Sequence, residues 1–151
     1  MTASAERVVE RPGFLLDTNA ISEWIKPLPD PGLMEWSHAT DEDRMYLSAL
    51  TIGEVRRGVD RLRDGPRKAR LTAWLAEDVV DRFGDRLLCV DTAVAQAWGR
   101  IRARAESDGH SVDPVDGLIA ATAESYGLVV VTRNRKDFLA TGVPVLCPWA
   151  E

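Results

Sequence analysis

Phe14-Leu15-Leu16-Asp17-Thr18-Asn19 decides how the rest of the 151-residue chain is read. Three apolar residues end abruptly in an acid, and a helical pattern follows. A short apolar run bounded by polar residues fits a strand buried on both faces. In open α/β sheets chemistry gathers in the crevice outside the carboxyl ends of such strands. Asp17 stands at that edge, and an acid placed there needs partners to offset its desolvation.

Working outward, Ile21, Trp24 and Ile25 give a short helix stopped by Pro27 and Pro29, and Leu33, Met34 and Trp36 a second one. Met45–Leu50 reads as a second strand, running into a helix on Ile52, Val55, Val59 and Leu62, with Thr51 as its N-cap. Gly65-Pro66 breaks that helix, and a longer one follows on Leu71, Trp74, Leu75, Val79 and Phe83. Leu87–Val90 is a third strand, after which Asp91 caps a helix carried by Val94, Trp98, Ile101 and Ala105. Ser107-Asp108-Gly109-His110 is a turn. Asp113-Pro114 opens another helix, with Asp at the cap and Pro at the first helical position, and Gly127 closes it. Leu128–Thr132 is a β-branched fourth strand, Arg133–Asp137 a loop, Phe138–Ala140 a short segment, and Val143–Leu146 an edge strand because Pro144 cannot donate to a ladder. Strands alternating with helices predict a three-layer α/β/α domain around a mainly parallel sheet of four to five strands, spanning 13–151. Residues 1–12 read as a flexible tail.

Composition narrows the function. The 45% hydrophobic content and five Trp exclude a disordered chain, and no apolar run reaches the roughly 20 residues a membrane span requires. Cys89 and Cys147 lack metal-site spacing and read as reduced thiols of a cytoplasmic protein. The net charge of −5 argues against holding nucleic acid by bulk electrostatics, yet basic residues crowd Arg56–Arg70, Arg100–Arg104 and Arg133–Lys136.

Four acids are expected at one rim: Asp17 after the first strand, Glu54 and Asp116 in first helical turns, and Asp137 one loop beyond the fourth strand. Glu54 also fits a capping box with Thr51, and Asp116 suits a helix dipole, so each has a purely structural reading. Together they favour chemistry. Two carboxylates ~5 Å apart repel by roughly 3 kcal/mol at an effective dielectric near 20, so a cluster needs a cation or protonation. Carboxylates with no His or Cys beside them select Mg²⁺ or Mn²⁺. Such ions clamp phosphate oxygens and activate water, as a nuclease requires.

These motifs resemble PIN-domain ribonucleases of the VapC toxin type, found in bacterial toxin–antitoxin pairs. The matching stretches are Leu15–Asn19, Leu47-Ser48-Ala49 through Glu54, Pro114–Ala123, Thr132-Arg133-Asn134 with Asp137-Phe138, and Cys147-Pro148-Trp149. The resemblance implies that Asp17, Glu54 and Asp116 bind the metal and that Thr18 and Asn19 hydrogen-bond around them. Thr132 joins that surrounding shell, and Asn134 or Asp137 fills a fourth position. It further implies an RNA substrate, a small antitoxin partner and a homodimer. The competing reading within the fold is a PIN-like binding module whose metal site is idle. Haloacid-type phosphatases need a second acid where Asn19 stands, a receiver domain needs an adjacent acidic pair, no G-x-G-x-x-G follows a strand, and Ser48 has no nucleophile elbow.

Overall fold

Residues 11–150 are described by the computed structural model; most of the expected N-terminal tail, residues 1–10, and Glu151 lie outside the described residues. Five strands, β1 (Phe14–Leu16), β2 (Met45–Ser48), β3 (Leu87–Leu88), β4 (Val129–Val131) and β5 (Val145–Leu146), pair in parallel in the order β3-β2-β1-β4-β5. The central strand β1 sets Leu15 opposite Tyr46 of β2 and Val130 of β4. The chain builds outward from β1 through β2 to β3, then crosses to β4 on the other side. That reversal is a topological switch point, and it opens a crevice beyond the carboxyl ends of β1 and β4.

Neighbouring residues of a strand face opposite ways, so β1 feeds two cores. Leu16 packs with Ile21, Leu33, Met45, Leu47, Val55 and Phe83 on one side, and Leu15 with Val94, Ile101, Ile119, Val130 and Phe138 on the other. The first layer comprises α1 (Thr18–Glu23), α2 (Pro31–Ala39), α3 (Ala49–Asp60) and the run α4 (Pro66–Ala73), a π turn (Trp74–Val79) and α5 (Val80–Phe83). The second holds α6 (Thr92–Ser107) and α7 (Pro114–Tyr126). The expected caps at Asp91 and Asp113 form: Asp91 accepts from Val94 N, and Asp113 accepts from Val115 N and Asp116 N. Gly127 closes α7 in the left-handed region at φ 65°. Trp24 and Trp36 pack against the first core, Trp24 stacking on Phe83 and Trp36 meeting Phe14 edge-on. Among the described residues no helix is long and apolar enough to cross a membrane.

Several boundaries differ from the sequence reading. β2 stops at Ser48 rather than Leu50, because Ser48 turns its hydroxyl to accept from Leu50 N and caps α3 itself. Thr51 is therefore inside the helix, buried, its hydroxyl without a hydrogen-bond partner among the described residues. The capping box does not form, and Glu54 lies in the second turn, not the first. β3 ends at Leu88 and β4 spans only Val129–Val131: Leu128 N turns back to Ala123 O, although Thr132 N still donates to Leu146 O. Most of the expected loop at 133–137 is helical, the 3₁₀ segment Arg135–Thr141, and β5 begins at Val145 because Pro144 contributes only its carbonyl, to Val130 N.

The chain's last described residues clasp the turn between α1 and α2. Buried Glu23 accepts from Asp30 N at 2.8 Å and from Trp149 Nε1 at 3.5 Å, and Asp30 accepts from Ala150 N at 3.0 Å. A Cβ on Gly32 would stand 2.5 Å from both Ala150 N and Pro148 O. Those are backbone atoms, so Gly32→Ala must displace the clasp. We expect a loss of about 1–3 kcal/mol, read as a melting temperature lower by about 2–4 °C per kcal/mol for a domain of this size; an unchanged melt would show that the segment moves aside freely.

Candidate active site

Asp17 joins β1 to α1 and is bound from both sides of the switch point. Its Oδ1 accepts from Thr18 N at 2.9 Å, and its Oδ2 from the Thr132 hydroxyl, just past β4, at 2.9 Å. That hydroxyl has one proton to donate and two lone pairs, and all three are used: it accepts from Asn19 Nδ2 at 3.2 Å and from Asn134 N at 3.1 Å. Asn19 Oδ1 in turn accepts from Arg133 N. Residues following β1 and residues following β4 thus form one rigid knot around a carboxylate that is 8% exposed.

Glu54 reaches the same rim from α3, where the Thr18 hydroxyl donates to its Oε2 at 2.6 Å. Asp116 enters from the first turn of α7, beside its cap Asp113. The four predicted acids are close enough to act on one another. Burial, then the charges of Glu54 and Asp137, raise the Asp17 carboxyl above its ordinary 3.8, against the opposing hydrogen bonds from Thr132 and Thr18. Asp116 is raised to about 6, by burial first and then by Asp17, Asp113, Asp137 and Glu54. Of the two candidates for the fourth position, Asp137 contributes charge to the cluster. Asn134 contributes its backbone N–H to Thr132 and precedes the Arg135–Thr141 turns without a side-chain cap bond. Asp113, read from sequence only as a cap, also carries charge into the site.

Among the described residues no three His, Cys, Asp or Glu side chains converge closely enough to enclose an ion as they stand. The donor chemistry nonetheless fits a hard divalent cation. The clustered ligands are all oxygen, and burial together with the neighbouring acids pushes both Asp17 and Asp116 towards protonation.

The molecule is thus an α/β/α fold with acids gathered at its switch point. The PIN domain family matches residues 14–143. The chain is 38% identical to Toxin FitB of Neisseria gonorrhoeae, over 91% of this chain and 99% of FitB. It is 34% identical to VapC ribonuclease Y4jK of Sinorhizobium fredii over 90% and 97%, and 35% identical to the tRNA(fMet)-specific endonuclease VapC of Salmonella typhimurium over 83% and 89%. Its fold superposes on that of FitAB bound to an IR36 DNA fragment with a TM-score of 0.86 at 36% identity, covering 91% and 96% of the two chains. On DNA-bound VapBC from Salmonella typhimurium the score is 0.71 at 31% identity, covering 90% and 98%. The chain belongs to the PIN-domain family, within its VapC and FitB toxin branch.

The raised Asp116 carboxyl has a thermodynamic sign. From its ordinary 3.8 up to about 6, the folded protein retains a proton that the unfolded chain has released. Stability from this group is therefore full at low pH and lost as pH rises through that window. In chelator, wild type should lose melting temperature between pH ~4 and ~6 more steeply than Asp116→Asn, whose amide does not titrate. Parallel curves for the two proteins would show that Asp116 is not strained by its neighbours.

Proposed function

We propose that this chain is a divalent-metal-dependent endoribonuclease, the toxin of a type II toxin–antitoxin pair, acting in the cytoplasm and composed of a single PIN domain over 13–151. The observation that carries the reading is the knot that fixes Asp17 at the switch point while Glu54 and Asp137 crowd it with negative charge and Asp116 shares the cluster. Asp17, Glu54 and Asp116 would hold Mg²⁺ or Mn²⁺. Such an ion, when bound, lowers the pKa of a water and neutralises phosphate oxygens. Thr132 and Asn19 orient Asp17, the Thr18 hydroxyl orients Glu54, and Asp137 completes the acid set. The substrate class is RNA with unpaired nucleotides, whose backbone is open to an exposed rim.

Relatives named as VapC ribonucleases support the activity, and the relatives solved as FitAB and VapBC complexes support a small protein antitoxin as partner. The reading extends to a homodimer, as the resemblance to VapC-type toxins implies. An idle binding module would not need an acid set that raises the pKa of its own members.

Asp17→Asn should abolish Mg²⁺- or Mn²⁺-dependent RNA cleavage while the fold survives. Thr132→Val, which keeps the shape but withdraws the hydroxyl, should lower the rate by about 10–100-fold, the usual cost of removing a group that orients a metal ligand. Cleavage by Asp17→Asn at the wild-type rate would remove that residue from the working site. A second check uses binding alone. Millimolar Mg²⁺ should raise the wild-type melting temperature by mass action and leave Asp116→Asn nearly unmoved. Equal shifts would mean that Asp116 does not complete a metal site.

A further inference from the structure

Beside the acidic rim lies a slot of about 270 Å³ between α1, α3 and α4, and it shares two residues with the rim, Thr18 and Glu54. Ile25 and Leu62 give it an apolar lining, and Ser22, Gly58 and Arg67 complete the walls that matter here. Gly58 has nothing among the described residues within 4 Å of where a Cβ would stand, so the space above it is open. The Ser22 hydroxyl makes no side-chain hydrogen bond among the described residues, whereas Thr18, Asn19 and Thr132 nearby are all engaged. Arg67 is exposed and enters no salt bridge among the described residues, although the neighbouring Arg56 and Lys68 are paired with Asp60 and Asp64.

A group with apolar faces and a polar edge, attached to an anion, matches those walls. We propose that the slot is the base-reading subsite of the enzyme: one unpaired nucleobase next to the scissile phosphate lies over Gly58, its edge to Ser22 and an adjoining phosphate on Arg67. This rests on the ribonuclease reading given above. The shared wall favours RNA over a protein partner, because a strand whose backbone meets Asp17 and Glu54 must place a neighbouring base close by. Single-stranded RNA is read through such splayed bases, by contact with their faces and hydrogen bonds to their edges. Arg67, a single cation on an exposed face, suits a phosphate of the same strand.

The test sequences the ends cut from a random single-stranded RNA pool with Mg²⁺ present. It also measures the binding of short labelled oligoribonucleotides to the proteins in chelator. Gly58→Leu fills the opening in a helix interior where Leu is better tolerated than Gly, so the fold is kept. It should lower kcat/KM by about 10–100-fold, the usual worth of one base contact, and flatten the preference at one position flanking the cut. Ser22→Ala should relax that preference and lower kcat/KM on the preferred sequence, by less than Gly58→Leu does. Arg67→Ala should weaken binding of all sequences alike and reduce the salt dependence by about one charge. Wild-type cutting preferences in both Gly58→Leu and Ser22→Ala overturn the proposal, and so does a Gly58→Leu protein that cuts normally but escapes its antitoxin. If wild type cuts no RNA at all, the ribonuclease reading fails, and equal oligonucleotide binding by wild type and Gly58→Leu then overturns the slot separately.

Discussion

The Thr132 hydroxyl donates one hydrogen bond, and the structure directs it at Asp17. Around that bond everything else at the rim is arranged. A hydroxyl that donated to any other acceptor would leave Asp17 Oδ2 buried and bare, at a cost of about 1–3 kcal/mol or more for a charged group. The two bonds that Thr132 accepts, from Asn19 and from the Asn134 backbone, hold the hydroxyl so that its proton has one direction left. The sheet makes this possible because β1 and β4 are hydrogen-bonded neighbours although 115 residues separate Asp17 from Thr132.

The same region carries an unrelieved cost. Asp17 and Asp116 are both held above the ordinary carboxylate range, by burial and by the acids around them. A fold selected for stability alone would have placed an amide or a hydroxyl at one of these positions. Local consistency breaks at functional sites, where the break serves something besides the fold. Under the proposed function, what it serves is affinity for a divalent cation.

How far the sequence could be read follows from how local each signal is. Asp91 and Asp113 were legible as caps because cap and capped amide lie within three residues, and Gly127 because αL at a helix end is a property of one residue. β1 was legible because a buried strand is the simplest structure for a short apolar run that ends in an acid and gives way to a helical pattern. The boundary at Ser48 was not, since Ser48 and Thr51 are equally good caps by type. The choice falls to Ser48 because Leu47 and Ser48 pair with Leu87 and Leu88 across the sheet. Which acids share a rim could be inferred from strand order. Which hydroxyl orients which acid could not, and neither could the slot beside Glu54, whose walls come from three helices. The helical turns at Arg135–Thr141 lack a side-chain cap and so left no mark.

The clasp between Glu23 and Trp149 joins residues 126 apart in sequence. Loop closure over such a span is among the costliest entropic steps open to this chain, and contacts of high sequence separation govern how slowly a topology assembles. Without Trp149 and Ala150 in place, Glu23 and Asp30 lack these partners, so the turn that follows α1 is complete only when the last described residues have joined it. Thr18 and Asn19 ride on the same α1, so this distant segment bears on the acidic rim through one short helix.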